Sequence, residues 1–232
     1  MISINHEKKA IYFRIPKCAS TYLSQTLKKN YNFIATVWFR PDHKNTLNEE
    51  DLIKFNNNDS YFFDDKITPT EYIMNSLYLS NIIGLTPEIF NSYYKFCFVR
   101  NPYDRIISGW KYINKTFSNK YPDFNNYVKK YYNNEIQITK FEFTHVFCTQ
   151  THTIRNINMN FIGKIELFDN DFNKLLDNIG FDEKIHEKTK INNTDDTNIY
   201  SYNIDIETLQ IINKLFHDDF VNFNYTKINE II

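Results

Sequence analysis

The sequence predicts an α/β chain: a three-layer αβα sandwich with a mostly parallel sheet. Short apolar runs rich in β-branched and aromatic residues alternate with segments of helical periodicity. Two of those runs, AIYFRI at 10–15 and KFCFVR at 95–100, lead directly into helical patterns, as strands do when the next strand lies parallel beside them. With 232 residues, 42% hydrophobic and 17% aromatic, the chain can bury one sizeable core. No repeat, heptad or low-complexity tract divides it, so residues 1–232 read as one domain.

Taken in order, strand 10–15 leads into a helix over 20–29, and NFIATVWF at 32–39 reads as a second strand, completing a βαβ unit. The polar stretch 40–59 is loop apart from NEEDLIKF, which has the residues of a short capped helix. TPTEYIMNSLY at 68–78 opens with Thr-Pro and continues with helical spacing, and NIIGL at 81–85 and 95–100 supply further strands. PYDRIISGWKYINKTF is helical, with Ile106, Ile107, Trp110 and Ile113 on one face, and DFNNYVKKYYNN at 123–134 follows as another helix. FIGKIEL at 161–167 is the strand before the helix NDFNKLLDNIGF, whose Gly180 has the place of a helix terminator. A polar loop at 186–203 precedes a terminal helix at 206–223.

Two strand-to-helix corners carry the chemistry. In IPKCAST at 15–21, Lys17 offers a point charge, Ser20 and Thr21 offer hydroxyls, and the following helix offers free N–H groups and its positive dipole end. That combination cradles a phosphate or sulfate. In FVRNPYDRIISGW at 98–110, Arg100 closes a strand and Ser108 lies two helical turns beyond it, a guanidinium fork and a hydroxyl suited to a phosphate monoester. Two such corners imply a ligand with two separate phosphate groups. Singly, each has a plainer reading: a capped helix start at Ser20 and Thr21, a surface ion pair of Arg100 with Asp104, and a solvated helix charge at Arg105.

The pair of corners resembles the two nucleotide-binding signatures of sulfotransferases that use 3′-phosphoadenosine 5′-phosphosulfate (PAPS), and is most similar to the carbohydrate (Golgi-type) branch. SYYKFCFVRNPYDRIISGWKY at 92–112, FIGKIELFDNDFNKLLDNIGF at 161–181 and DDFVNFNY at 218–225 also resemble family blocks, so the similarity covers nearly the whole chain. The resemblance implies a P-loop-like fold with the donor across the carboxyl ends of the strands. It implies that Lys17, Cys18, Ala19, Ser20 and Thr21 form the loop gripping the 5′-phosphosulfate, that Arg100 and Ser108 grip the 3′-phosphate, and that no metal is needed. The acceptor it implies is a hydroxyl, favoured to be on a glycan.

An ATP-dependent small-molecule kinase is the nearest rival, because its phosphate loop would stand in the same place. That loop needs G-x-x-x-x-G-K-[ST]. Here it has no glycine, and Lys17 precedes Ser20 by three positions. A non-catalytic nucleotide-binding protein of the same fold is a further alternative.

Charge and cysteine content narrow the partners. Lys plus Arg number 27 against 28 Asp plus Glu, which leaves no global field to attract nucleic acid or an anionic membrane. Cys18, Cys97 and Cys148 lack metal-like spacing, and an odd number argues against a disulfide framework. Cys97 reads as core, and Cys18 as a small loop residue, although a nearby lysine and helix dipole could lower its pKa. The first predicted strand starts close to Met1 and no apolar run approaches 18 residues, so neither a secretory signal nor a membrane span is expected, and the compartment expected is the cytoplasm.

Sulfuryl transfer needs a cation at the leaving oxygen and a base at the acceptor hydroxyl. Lys17 suits the first task. For the second, His43 in the loop after the second strand is the first candidate and His152 in TQTHTIR the next, with Glu49 and Glu50 behind them. Arg155 could add charge near His152. His6, His145, His186 and His217 read as structural or surface residues.

Overall fold

The computed structural model describes residues 2–35, 84–182 and 202–229. The helices predicted within 40–59 and at 68–78, most of the strands predicted at 32–39 and 81–85, and His43, Glu49, Glu50 and His186 lie outside those residues. The fold is α/β and P-loop-like. Its sheet contains β1 (Ile2–Asn5), β2 (Ala10–Phe13), β3 (Ile34–Ala35), β4 (Tyr94–Val99) and β5 (Phe161–Lys164), in the order β3-β1-β2-β4-β5. β2, β4 and β5 run parallel, with Phe13 opposite Cys97 and Cys97 opposite Ile162. β1 pairs antiparallel with both β2 and β3.

Among the described residues the α-helices are α1 (Ser20–Asn30), α2 (Pro87–Ser92), α3 (Pro102–Thr116), α4 (Phe124–Tyr132), α5 (Lys140–Val146), α6 (Gln150–Thr153), α7 (Phe168–Asn178), α8 (Ile206–Leu215) and α9 (His217–Asn222). Strand alternation sends side chains to both faces of the sheet. Tyr12, Phe96 and Phe98 pack under α1 and α7, against Leu23, Leu27, Phe172 and Leu176. Ile11, Phe13, Cys97 and Val99 face the opposite layer, which includes Phe90 of α2, Ile154, Ile157 and Phe223. Those are the three layers. A further cluster is built mainly from helices, with Ile106, Ile107 and Ile113 of α3 packed with Tyr127, Ile212 and Phe216.

Several boundaries differ from the sequence expectation for local reasons. β2 ends at Phe13, two residues early, because the chain turns where the Cys18 N–H bonds back to the Ile15 carbonyl at 3.3 Å. β1, a four-residue run beside Met1, was too short to read. The strand expected over 161–167 stops at Lys164, and residues 165–167 form a 3₁₀ turn that starts α7 early, at Phe168. Gly180, at φ 75°, does terminate α7: its N–H bonds to Asp177 O at 3.2 Å and that of Phe181 to Leu176 O at 2.9 Å. The helix expected over 206–223 breaks at Phe216, which caps α8 and starts α9. Beyond the break Asp219 turns inward and is fully buried. Among the described residues no helix is long and apolar enough to cross a membrane.

Candidate active site

The first corner follows β2. Lys17 and Ala19 both occupy left-handed backbone conformations, at φ 70° and 50°, which for non-glycine residues costs about 1–3 kcal/mol each and persists only where the surroundings enforce it. Between them Cys18 is fully buried, and its thiol donates to Gln150 Oε1 at 3.0 Å. That anchor holds the loop. Ala19 stands at the N-cap of α1 with no side chain to satisfy the helix's first N–H groups, and the first turn has no acid. Every other described α-helix carries a side-chain cap or an acidic first turn. The N–H groups and dipole of α1 therefore remain available to an anion, with half-buried Ser20 and exposed Thr21 beside them.

The second corner follows β4, the parallel neighbour of β2. Asn101 caps α3 by accepting from the Tyr103 N–H at 3.0 Å, and Pro102 begins the helix. Arg100 is buried, and its backbone is clamped on both sides by one side chain: its N–H donates to Gln150 Oε1 at 2.8 Å and its carbonyl accepts from Gln150 Nε2 at 2.9 Å. Asp219 anchors the clamp, accepting from the Gln150 N–H at 2.9 Å and the Thr151 N–H at 2.8 Å. Because Gln150 Oε1 accepts from both Cys18 and Arg100, one buried amide ties the two corners together.

Arg105 is no solvated helix charge. It is fully buried, its Nε donates to the Pro16 carbonyl at 3.2 Å, and its Nη1 and Nη2 have no hydrogen-bond partner among the described residues. A buried guanidinium with two idle ends is costly unless something anionic meets it. Lys17 lies close by: burial, then the neighbouring Arg100 and Arg105, push its pKa down to about 8. Three cations from two corners thus converge. Ser108 is half-buried on α3, three residues past Arg105 and so on the same face of that helix.

The residues expected to hold the donor therefore fall on two adjoining corners of the parallel sheet. Cys18 serves the loop and is not poised to react, since burial pushes its thiol up to about 12. His152 lies in α6, with its ring nitrogens against Nη1 of Arg155, 2.7 Å from Nδ1. His6 meets the Tyr93 hydroxyl at 3.1 Å and His217 meets Lys227 Nζ at 2.8 Å. His145 contacts Tyr112, whose ring also lies 4.1 Å from Lys17 Nζ. Arg105, Gln150 and His145 were not singled out by sequence. Arg105 alone left a signal, lying within the second motif.

A helix start without cap or acid, a buried cation cluster and a parallel-sheet setting make this an α/β protein built to receive phosphate or sulfate groups. The chain belongs to the sulfotransferase family, whose model matches residues 1–226, and the carbohydrate-type branch is consistent with that membership. Sulfuryl transfer is the chemistry of the family. The comparisons with curated proteins and with solved structures give no match.

Proposed function

We propose that the protein, acting as one domain in the cytoplasm, transfers a sulfuryl group from PAPS to an acceptor hydroxyl on a glycan by direct in-line displacement. The convergence of Lys17, Arg100 and Arg105 on two adjoining strand-to-helix corners carries this reading. The uncapped start of α1 suits the 5′-phosphosulfate, and the Arg100–Ser108 pair suits a separate 3′-phosphate. The carbohydrate-type branch, consistent with the family found, supports a glycan acceptor. Three free cysteines support a reducing compartment.

Each residue has a task in that reaction. The α1 N–H groups, Ser20 and Thr21 orient the phosphosulfate, while Lys17 meets the negative charge that grows on the bridging oxygen as the S–O bond breaks. Arg100 and Ser108 select a donor bearing a 3′-phosphate, and the buried Arg105 adds positive charge beside Lys17. Thermal-shift profiling tests the reading. Adenosine 3′,5′-bisphosphate at a hundredfold excess over its Kd should stabilise the fold by about 2.7 kcal/mol. A response to ATP with magnesium and none to the bisphosphate would replace it with the kinase reading.

A further inference from the structure

We propose that His145, on α5, is the proton acceptor of the transfer reaction; the assignment rests on the sulfotransferase reading above. Geometry places it there. The His145 ring lies 5.0 Å from the Tyr112 ring, centroid to centroid, and Lys17 Nζ lies 4.1 Å from the same Tyr112 ring. The cation assigned to the leaving oxygen and this imidazole therefore share one neighbour, and the same aromatic ring borders both. Around them Tyr112, Phe117 and Phe141 form a ledge of aromatic rings that are 37%, 42% and 38% exposed. Large rings left this open beside a charged site are a surface on which an acceptor's ring can lie.

The tautomer is fixed as well. His145 Nδ1 lies 2.8 Å from the Phe141 carbonyl, which can only accept, so Nδ1 carries the proton and Nε2 of the neutral ring has a bare lone pair. His152, by contrast, has both ring nitrogens against the Arg155 guanidinium. Burial lowers the His145 pKa, and Lys17 from the first corner and Arg105 from α3 lower it further, outweighing the Phe141 bond that raises it. That shift favours the neutral ring, the form that can accept a proton.

The helix that carries it is held at both ends. At its start, Thr139 and Glu142 form a reciprocal capping box, and buried Glu142 pairs with Lys120 at 2.8 Å. Farther along, α3 passes so close that a Cβ on Gly109 would lie 2.3 Å from the His145 carbonyl. Only glycine permits that approach. In the reaction, the acceptor oxygen forms a bond to sulfur as the bond from sulfur to the bridging oxygen breaks. The electron pair goes to the departing bisphosphate beside Lys17, and the acceptor's proton goes to His145 Nε2 and then to water.

The test compares wild type, His145→Asn and His145→Ala for PAPS-dependent transfer across a glycan panel, with adenosine 3′,5′-bisphosphate affinity measured by calorimetry. His145→Asn should lose about 10²–10⁴-fold in turnover with bisphosphate affinity unchanged, and the acid limb of its kcat/KM profile should vanish. Added imidazole should restore activity to His145→Ala, which a merely structural role would not allow. An active wild type matched by His145→Asn, or an acid limb that persists in it, overturns the assignment alone. A wild type that binds no bisphosphate overturns the donor reading, and this assignment with it.

Discussion

The two anion corners reach the same end by opposite means. The corner after β2 is made by backbone: two left-handed residues, an uncapped helix start, and a lysine whose flexible stem can follow a charge as it moves. The corner after β4 is made by side chains: a capped helix, a buried arginine clamped by Gln150, and a second arginine locked to Pro16. In the reading proposed above, the first corner meets charge that appears only during the reaction, whereas the second recognises charge already present. In that reading chemistry and selectivity are separated along the sheet, so substitutions in the two corners should fail in different ways.

The largest effect expected is at the first corner. Lys17→Ala should reduce turnover by about 10²–10³-fold while weakening bisphosphate binding far less, because the charge it meets develops in the transition state. Steady-state kinetics set beside calorimetry decide this. Near-normal turnover would remove the distinction between the corners.

Gln150→Leu should act on both corners together. It strips partners from the Arg100 backbone and the Cys18 thiol and removes the 3.3 Å bond from Gln150 Nε2 to Asp219, while the backbone N–H bonds to Asp219 remain, at a cost of about 2–4 kcal/mol in denaturant unfolding. Affinities for adenosine 3′,5′-bisphosphate and adenosine 5′-monophosphate should fall in parallel. A change in their ratio would mean that the amide serves one corner alone.

A smaller effect is expected from pH. The Lys17 pKa is about 8 in the free protein against an ordinary value of 10.5, and a bound anion favours its charged form. Bisphosphate affinity should be steady between about pH 7, where both phosphates are ionised, and about 8, and fall by up to about tenfold per pH unit above it, since binding then takes up a proton. The sign for stability is opposite. The unfolded lysine binds its proton more tightly, so this group makes the ligand-free fold more stable as pH rises from about 8 towards 10.5. Lys17→Met should flatten both dependences; a slope that survives belongs to another group.

The same contrast explains what could be read in advance. Both corners were legible because a strand, a turn and a helix start are consecutive in sequence, so IPKCAST and RNPYDRIIS carry their own structural context. The core face of α3 was legible for the same reason, with Ile106, Ile107 and Ile113 all fully buried. Gln150 was not, since the residues it joins stand 132 and 50 positions away and no periodicity links them. Nor was His145, whose segment KFEFTHVF is assigned no element from sequence; its place beside Tyr112 comes from the close crossing at Gly109. Tertiary crossings of this kind leave no trace in spacing.

The central claim, two corners for two phosphates, is tested most directly by calorimetry with adenosine 3′,5′-bisphosphate and adenosine 5′-monophosphate on wild type and Arg100→Ala. Wild type should prefer the bisphosphate, and Arg100→Ala should lose roughly 2–5 kcal/mol of that preference while keeping its affinity for the monophosphate. An unchanged ratio of affinities in Arg100→Ala would contradict the account and place the 3′-phosphate away from the second corner.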